Sequence, residues 1–401
     1  RHRGDGHGAV RCGGGGGGGG HHHGLDSGRG GRGLAQIGAA SLLAAALASA
    51  GTYAVVQRDD TGAVSGGGNS TVIKADPADF ADAGAINWSA TAAKVNPSVV
   101  SIDVSSGSSG GEGSGVVLDK SGNIVTNNHV VSGAGSNATV TVTLNNNRTY
   151  PASVVGTDPS TDLAVIRIKD VPDLHPVEMA DDSKLVVGQP VMAVGNPLGL
   201  AGTVTTGIVS AMNRPVTTSG GNSGGSSTSN DTVVTNAIQT SAAINPGNSG
   251  GALVDMTGRL VGINSSIATL GGSKVTGQQG GSIGLGFAIP SNQVQRISKE
   301  LMESGSATHA AVGVTVDPRA SVSRPGALVA EVSSTGAFGR AGIPKGALVT
   351  KIDQLQISDG YGLIGAVRAY PPGATVTVTY LDSPSSTSPV TKQVTLDKLD
   401  K

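Results

Sequence analysis

The sequence predicts a mainly β protein: an all-β sandwich or barrel, followed by a small α+β unit and preceded by one membrane-crossing helix. Short runs rich in Val, Ile and Thr, separated by Gly, Asn and Asp, recur from residue 99 to residue 263 with almost no helical periodicity between them. One helix-like stretch, Ser291–Glu303, closes this region, and a second set of strand-like runs follows it. Near the start, Leu34–Val56 contains no charged side chain.

Residues 1–33 are low-complexity, with Gly13–Gly20 followed by His21, His22 and His23, and read as a solvated tract without a metal. Leu34–Val56, at about 1.5 Å per helical residue, is long enough to cross a hydrocarbon core of about 30 Å. Arg1, Arg3, Arg11, Arg29 and Arg32 precede it, and Asp59 and Asp60 follow Arg58. This asymmetry puts the N-terminus in the cytoplasm and everything after Val56 outside, so the chain is expected in the cell membrane as a single-pass protein. A cleavable signal peptide is the alternative, because Ala48-Ser49-Ala50 resembles a cleavage site. The long preceding tail and the continuation of the apolar run past Ala50 favour an uncleaved anchor.

Residues 57–91 read as an extracytoplasmic linker, rich in Gly, Ala, Asp and Ser. The first compact domain is expected over 92–304, with strands at 99–104, 115–118, 123–126, 138–144, 163–168, 190–194, 207–211, 251–254 and 260–263. A Ser/Gly-rich insertion at 217–232 should be a surface loop. In Ser291–Glu303, Val294, Ile297 and Leu301 recur at helical spacing. The second domain is expected over 308–396, with strands at 311–316, 327–332, 347–352 and 375–380 and a short helix marked by Leu363 and Val367.

Composition narrows the function classes. A net charge of -1 without a basic aromatic stretch argues against nucleic acid as a partner. Cys12 is the single cysteine, which rules out an intrachain disulfide framework and a Cys-based metal site. The chemistry considered next needs neither cofactor nor metal.

Acyl transfer at neutral pH requires a hydroxyl nucleophile, a base with a pKa near 7, a carboxylate that fixes the base's tautomer, and donors aimed at the developing oxyanion. Ser249 lies in Gly247-Asn248-Ser249-Gly250-Gly251, between Ala242–Ile244 and the apolar run Ala252-Leu253-Val254. That Gly-rich turn is suited to aiming the Gly247, Asn248 and Ser249 backbone amides at one point. The same five letters recur at 221–225, but no apolar strand flanks that copy to hold Ser223 in place. Of the eight histidines, only His129, His175 and His309 follow the apolar run. His129 ends a strand-like stretch, whereas His175 sits in a Pro-flanked loop and His309 begins the second domain, so both of these read as surface residues. Asp162 stands at the mouth of the strongly apolar Leu163–Ile166; the cap of a turn is the lesser alternative, since Asp is common there.

These segments resemble the HtrA (Deg) family of trypsin-like serine proteases. The match rests on Gly113-Ser114-Gly115-Val116-Val117, Val125-Thr126-Asn127-Asn128-His129-Val130-Val131, Thr161-Asp162-Leu163-Ala164-Val165, Gly195-Asn196-Pro197-Leu198-Gly199 and Ala243-Ile244-Asn245-Pro246-Gly247-Asn248-Ser249-Gly250-Gly251, in family order. The resemblance implies a chymotrypsin-like pair of six-stranded barrels, with His129 and Asp162 from the first and Ser249 from the second. It also implies a C-terminal PDZ domain that captures peptide C-termini beside Val312, Gly313 and Val314, with their apolar end against Leu363 and Val367. Ala243 stands where trypsin-like specificity needs an acid, so cleavage beside small or medium apolar residues is implied. Ser241 replaces a usual Asp.

The resemblance further implies polypeptide substrates, a homotrimer with Phe80 and Trp88 as candidate contacts, and an insertion at 217–232 that carries the state of the PDZ domain to the active site. Two functions follow: a regulated envelope endopeptidase acting on misfolded or regulatory proteins, or a peptide-binding chaperone or adaptor whose triad is seldom assembled. A complete base, acid, nucleophile and oxyanion loop favours the first.

Overall fold

The computed structural model describes residues 86–106, 109–132, 138–196, 202–219, 232–266, 282, 284–317 and 324–399. The tail, Leu34–Val56, Phe80 and the Gly-rich copy at 221–225 lie outside them. Among the described residues no helix is long and apolar enough to cross a membrane.

Strands β1 (Val99–Ser106), β2 (Ser109–Val117), β3 (Asn123–Thr126), β4 (Thr139–Thr143), β5 (Thr149–Asp158) and β6 (Leu163–Ile168) close into a barrel in the order β1-β2-β3-β6-β5-β4. A second barrel closes as β10-β11-β12-β9-β8-β7 from β7 (Pro190–Gly195), β8 (Thr203–Ser219), β9 (Thr232–Thr240), β10 (Ala252–Asp255), β11 (Leu260–Ser265) and β12 (Gly286–Pro290). This is the chymotrypsin-like architecture that the resemblance implied.

The two barrels explain why so many strands are apolar without alternation. Successive side chains point to opposite faces of a strand. On β6, Leu163 and Val165 enter the seam between the barrels, while Ala164 and Ile166 fill the interior of the first. On β7, Met192 and Val194 face the seam, and Val191 and Ala193 face the second interior. Each face has its own core, and burying a side chain of this size is worth about 1.5–3 kcal/mol. Helix α1 (Trp88–Val95) adds Val95 to the seam, and Trp88 packs partly against the same cluster within its own chain. A short helix α2 (Asn128–Ser132) leaves the end of β3. Helix α3 (Ser291–Ser304) lays Val294, Ile297 and Leu301 on the seam and stops at Gly305, whose φ of 73° lets its N–H reach Leu301 O.

Three strands of the barrels, β5, β9 and β12, were not expected. Two of them carry the residues that interrupt a strand pattern: Pro151 and Gly156 in β5, Gly286 and Pro290 in β12. Strand β8 runs well beyond the expected 207–211, through register shifts between Val209 and Ala211 and between Ala211 and Arg214. The segment 217–219 therefore continues β8 and Thr232 already begins β9, which corrects the expected loop at both ends.

The C-terminal unit is a small α+β fold. Strand β13 (Ala310–Ala311) pairs with β20 (Asp397–Lys398). A sheet of order β14-β15-β16-β18-β19 comprises β14 (Val314–Val316), β15 (Ala327–Val332), β16 (Leu348–Ile352), β18 (Thr375–Leu381) and β19 (Val390–Thr395), with β17 (Leu355–Gln356) beside β16. Helices α4 (Ala337–Arg340) and α5 (Gly360–Ala369) cover it, and Phe338, Leu363, Val378 and Tyr380 share its core. The expected strand 311–316 is split at Gly313, whose φ is 69° and where a Cβ would lie 2.6 Å from Gly336 Cα.

Candidate active site

Three loops converge where the barrels meet. Helix α2 carries His129, the β5–β6 turn carries Asp162, and the turn before β10 carries Ser249. Asp158 pairs with Leu163, so the β5–β6 turn is tight. Asp158 organises it: Oδ1 accepts the Ser160 N–H (3.2 Å) and Oδ2 accepts the Thr161 hydroxyl (2.5 Å). The capping role left open for Asp162 thus belongs to Asp158. Asp162, in the left-handed region with a φ of 57°, turns its carboxylate to the base. His129 Nδ1 lies 2.8 Å from Oδ2 and 3.0 Å from Oδ1, and the His129 N–H donates to Oδ1 (3.0 Å). Asp162 O accepts from Asn128 N and Asn127 Nδ2, both at 3.0 Å, which fixes the two loops to each other. A buried carboxylate on Nδ1–H leaves Nε2 as the free proton acceptor, the tautomer a general base needs.

The turn that carries Ser249 is pinned to the first barrel by Ser114. Its N–H donates to Ser249 O (2.8 Å), its hydroxyl donates to Gly247 O (2.7 Å) and accepts from Asn196 N (2.8 Å), and its carbonyl accepts the Thr126 hydroxyl (2.7 Å). Gly250, at a φ of 82°, passes so near that a Cβ would sit 2.1 Å from Ser114 O. Of the three amides expected to face an oxyanion, Asn248's is taken: it donates to Asn245 O (3.0 Å) and closes the turn. Among the described residues the Gly247 and Ser249 N–H groups have no acceptor, which leaves two donors for a developing oxyanion.

A trypsin-like peptidase domain family matches residues 113–263, a span holding His129, Asp162 and Ser249. The chain is 50% identical to the serine protease PepD of Mycobacterium tuberculosis over 77% of its own length and 66% of PepD. It is 38% identical to the periplasmic serine endoprotease DegP of Escherichia coli, over 66% of the chain and 53% of DegP. Among solved structures, the HtrA-type protease AlgW with a tripeptide superposes with a TM-score of 0.55 at 31% identity, over 78% of this chain and 98% of AlgW. The chain belongs to the HtrA family of serine proteases. It spans about half to two thirds of the length of PepD and DegP.

Two residues of this HtrA-family chain that the sequence did not single out complete the site, both at the end of β11. The Ser265 hydroxyl lies 3.4 Å from Asp162 Oδ2. Ser266 holds Ser249: its N–H donates to Ser249 Oγ (2.9 Å) and its own hydroxyl lies 2.5 Å from it. Ser249 Oγ therefore rests on Ser266 and makes no hydrogen bond to His129. The only sequence signal was two hydroxyls ending the otherwise apolar run Leu260–Ile263.

The remaining sequence candidates fall as follows. His175 is exposed, as expected. His309 is not a surface residue: it is buried, with Nε2 2.9 Å from Asp158 Oδ1, because the start of the C-terminal unit packs on the β5–β6 turn. Ala243 is half-buried and its carbonyl accepts the Thr205 hydroxyl (2.8 Å). Ser241 Oγ accepts the Ile208 N–H (3.0 Å). In the C-terminal unit Val312, Leu363 and Val367 share one apolar cluster, Val314 packs at its margin, and Gly313 makes the turn between them. Strand β14 is an edge strand, paired only with β15 among the described strands. No group of side chains among the described residues has the makings of a metal site.

Proposed function

We propose that the chain is a membrane-anchored, extracytoplasmic serine endopeptidase that hydrolyses peptide bonds of misfolded or regulatory envelope proteins through an acyl-enzyme. The observation that carries this reading is the His129–Asp162 pair beside Ser249 and two unoccupied amides. Ser249 Oγ swings from Ser266 to His129 Nε2, attacks the scissile carbonyl and passes its proton to His129. The Gly247 and Ser249 amides take the charge on the tetrahedral oxygen, each worth about 10²–10³ in rate. His129 then protonates the leaving amine, and a water activated in the same way releases the acyl group. Asp162 keeps the imidazole in its tautomer and stabilises the imidazolium.

Binding of peptide C-termini belongs to the same proposal. A peptide adds as a strand to β14, its terminal carboxylate at Val312–Gly313 and its last apolar side chain toward Leu363 and Val367. The apolar run at 34–56 supplies the anchor, and a homotrimer is the proposed assembly.

A second reading, a peptide-binding chaperone or adaptor with a seldom-assembled triad, draws on the Ser249–Ser266 contact. Fluorophosphonate labelling with peptide mapping, alongside casein digestion, separates the two. The protease reading expects a Ser249 adduct and casein turnover that is lost in Ser249→Ala. Casein left intact by the wild type, at the level of Ser249→Ala, would transfer the conclusion to the chaperone reading.

A further inference from the structure

The linker after α3 is fixed at both ends of one residue. Glu300 Oε2 accepts the N–H and hydroxyl of Thr308 (2.6 and 2.9 Å), and Arg296 Nη1 donates to Thr308 O (3.0 Å) and Glu300 Oε1 (3.0 Å). Arg296 Nη2 reaches Arg368 O on α5 (3.1 Å). The next residue, His309, accepts the Leu399 N–H at its carbonyl (2.8 Å), beside the β13–β20 pair, so its backbone is held by the C-terminal unit. Its side chain goes the other way, to Asp158 in the first barrel.

Asp158 accepts and cannot donate as a carboxylate, so His309 Nε2 carries the proton of that bond. His309 Nδ1 is buried and has no partner among the described residues. Arg368 also faces this cluster: burial pulls its guanidinium below its ordinary value, the charge of Asp158 opposes that, and its buried Nη1 has no partner among the described residues.

The carboxylate in question is the one that shapes the turn bearing Asp162. Its two oxygens hold Ser160 N and Thr161 Oγ1, and Asp162 follows at once in a left-handed conformation. We propose that His309 is a positioning residue for the triad: through Asp158 and Thr161 it sets the Asp162 turn, so that alignment of the catalytic acid depends on the C-terminal unit being docked. This rests on the triad reading given above. A contiguous chain of hydrogen bonds, from the linker through one turn to the acid, is the physical route.

The test uses the full chain with His309→Leu, His309→Gln, Thr161→Val and the His309→Leu/Thr161→Val double variant. Gln returns an N–H donor near the position of Nε2. Thr161→Val cuts the route on the far side of Asp158 and leaves the His309 bond in place. The readouts are the fluorophosphonate labelling rate at Ser249, kcat and KM on a short peptide, and the pH midpoint of kcat/KM.

Loss of acid alignment should lower kcat and the labelling rate by about 10- to 100-fold with KM little changed, the size of effect a small misplacement produces. The pH midpoint should move as the His129–Asp162 contact loosens. Thr161→Val should do the same, the double variant should add little to either single one, and His309→Gln should recover most of the rate. A His309→Leu protein that melts lower but labels at the wild-type rate would overturn the proposal, as would additive effects in the double variant. If His309→Leu does not fold, Thr161→Val and His309→Gln still decide it. A wild type that fails to label at Ser249 brings down the triad reading and this one with it; a wild type that labels, with variants equal to it, brings down this one alone.

Discussion

On the proposed mechanism, removing the Ser266 hydroxyl should speed acylation of Ser249. In the resting site Ser249 Oγ is held by the Ser266 N–H at 2.9 Å and by the Ser266 hydroxyl. Attack requires both contacts to be exchanged for one to His129. A typical hydrogen bond contributes a net 0.5–1.5 kcal/mol, so the two together bias the resting rotamer by about 1–3 kcal/mol. Ser266→Ala deletes one of them and keeps the backbone amide. Since about 1.4 kcal/mol corresponds to tenfold in rate, acylation should rise by about 2- to 12-fold. The assay is the pseudo-first-order rate of fluorophosphonate incorporation at Ser249, with kcat on a short peptide measured in parallel. Ser265→Ala is the control from the neighbouring position: it removes a contact to Asp162 and should not accelerate. A Ser266→Ala protein that labels no faster than the wild type would refute the latch, because nothing else among the described residues accepts or donates at Ser249 Oγ.

Further outcomes follow from the same geometry. Asp162→Asn keeps the turn but presents a group that no longer fixes the Nδ1–H tautomer, and kcat should fall by about 10⁴ in peptide hydrolysis with the circular dichroism spectrum unchanged. Gly250→Ala puts a Cβ 2.1 Å from Ser114 O at a φ of 82°, and urea unfolding should show a loss of at least about 1–3 kcal/mol. Glu300 is buried enough to raise its carboxyl, but the bonds from Thr308 and Arg296 outweigh this and hold it below its ordinary 4.5. A depressed folded value means that its contribution is fully present above 4.5 and lost as the pH falls through the folded value. Thermal melts from pH 6 to pH 3 should therefore show an acid-side loss that Glu300→Gln flattens.

The proposed triad could be named from the sequence because each member carries a local signature: Ser249 in a Gly-rich turn flanked by apolar runs, His129 at a strand end, Asp162 before Leu163-Ala164-Val165. The barrels were legible in part. Strands β3 and β6 appear at the expected bounds, because runs such as Leu163–Ile168 are apolar on both faces. Strands β5 and β12 were hidden by their Pro and Gly residues, which a strand tolerates at a barrel's bends and ends. His309 was misread for a different reason. Nothing in Thr308-His309-Ala310 marks burial, and the imidazole, buried in the fold, meets Asp158 on a turn 151 residues away in the chain.

By itself the sequence determined the fold class, the family and the three residues of the proposed acyl-transfer chemistry, since composition, periodicity and short motifs are properties of neighbouring residues. Tertiary structure alone decided which amides of the Ser249 turn lack an acceptor among the described residues, that Ser249 rests on Ser266, and that His309 joins the turn that carries Asp162. These depend on groups up to 151 residues apart meeting within 3 Å. Such meetings are set by how two closed barrels and a third unit pack, and chain order does not encode them locally.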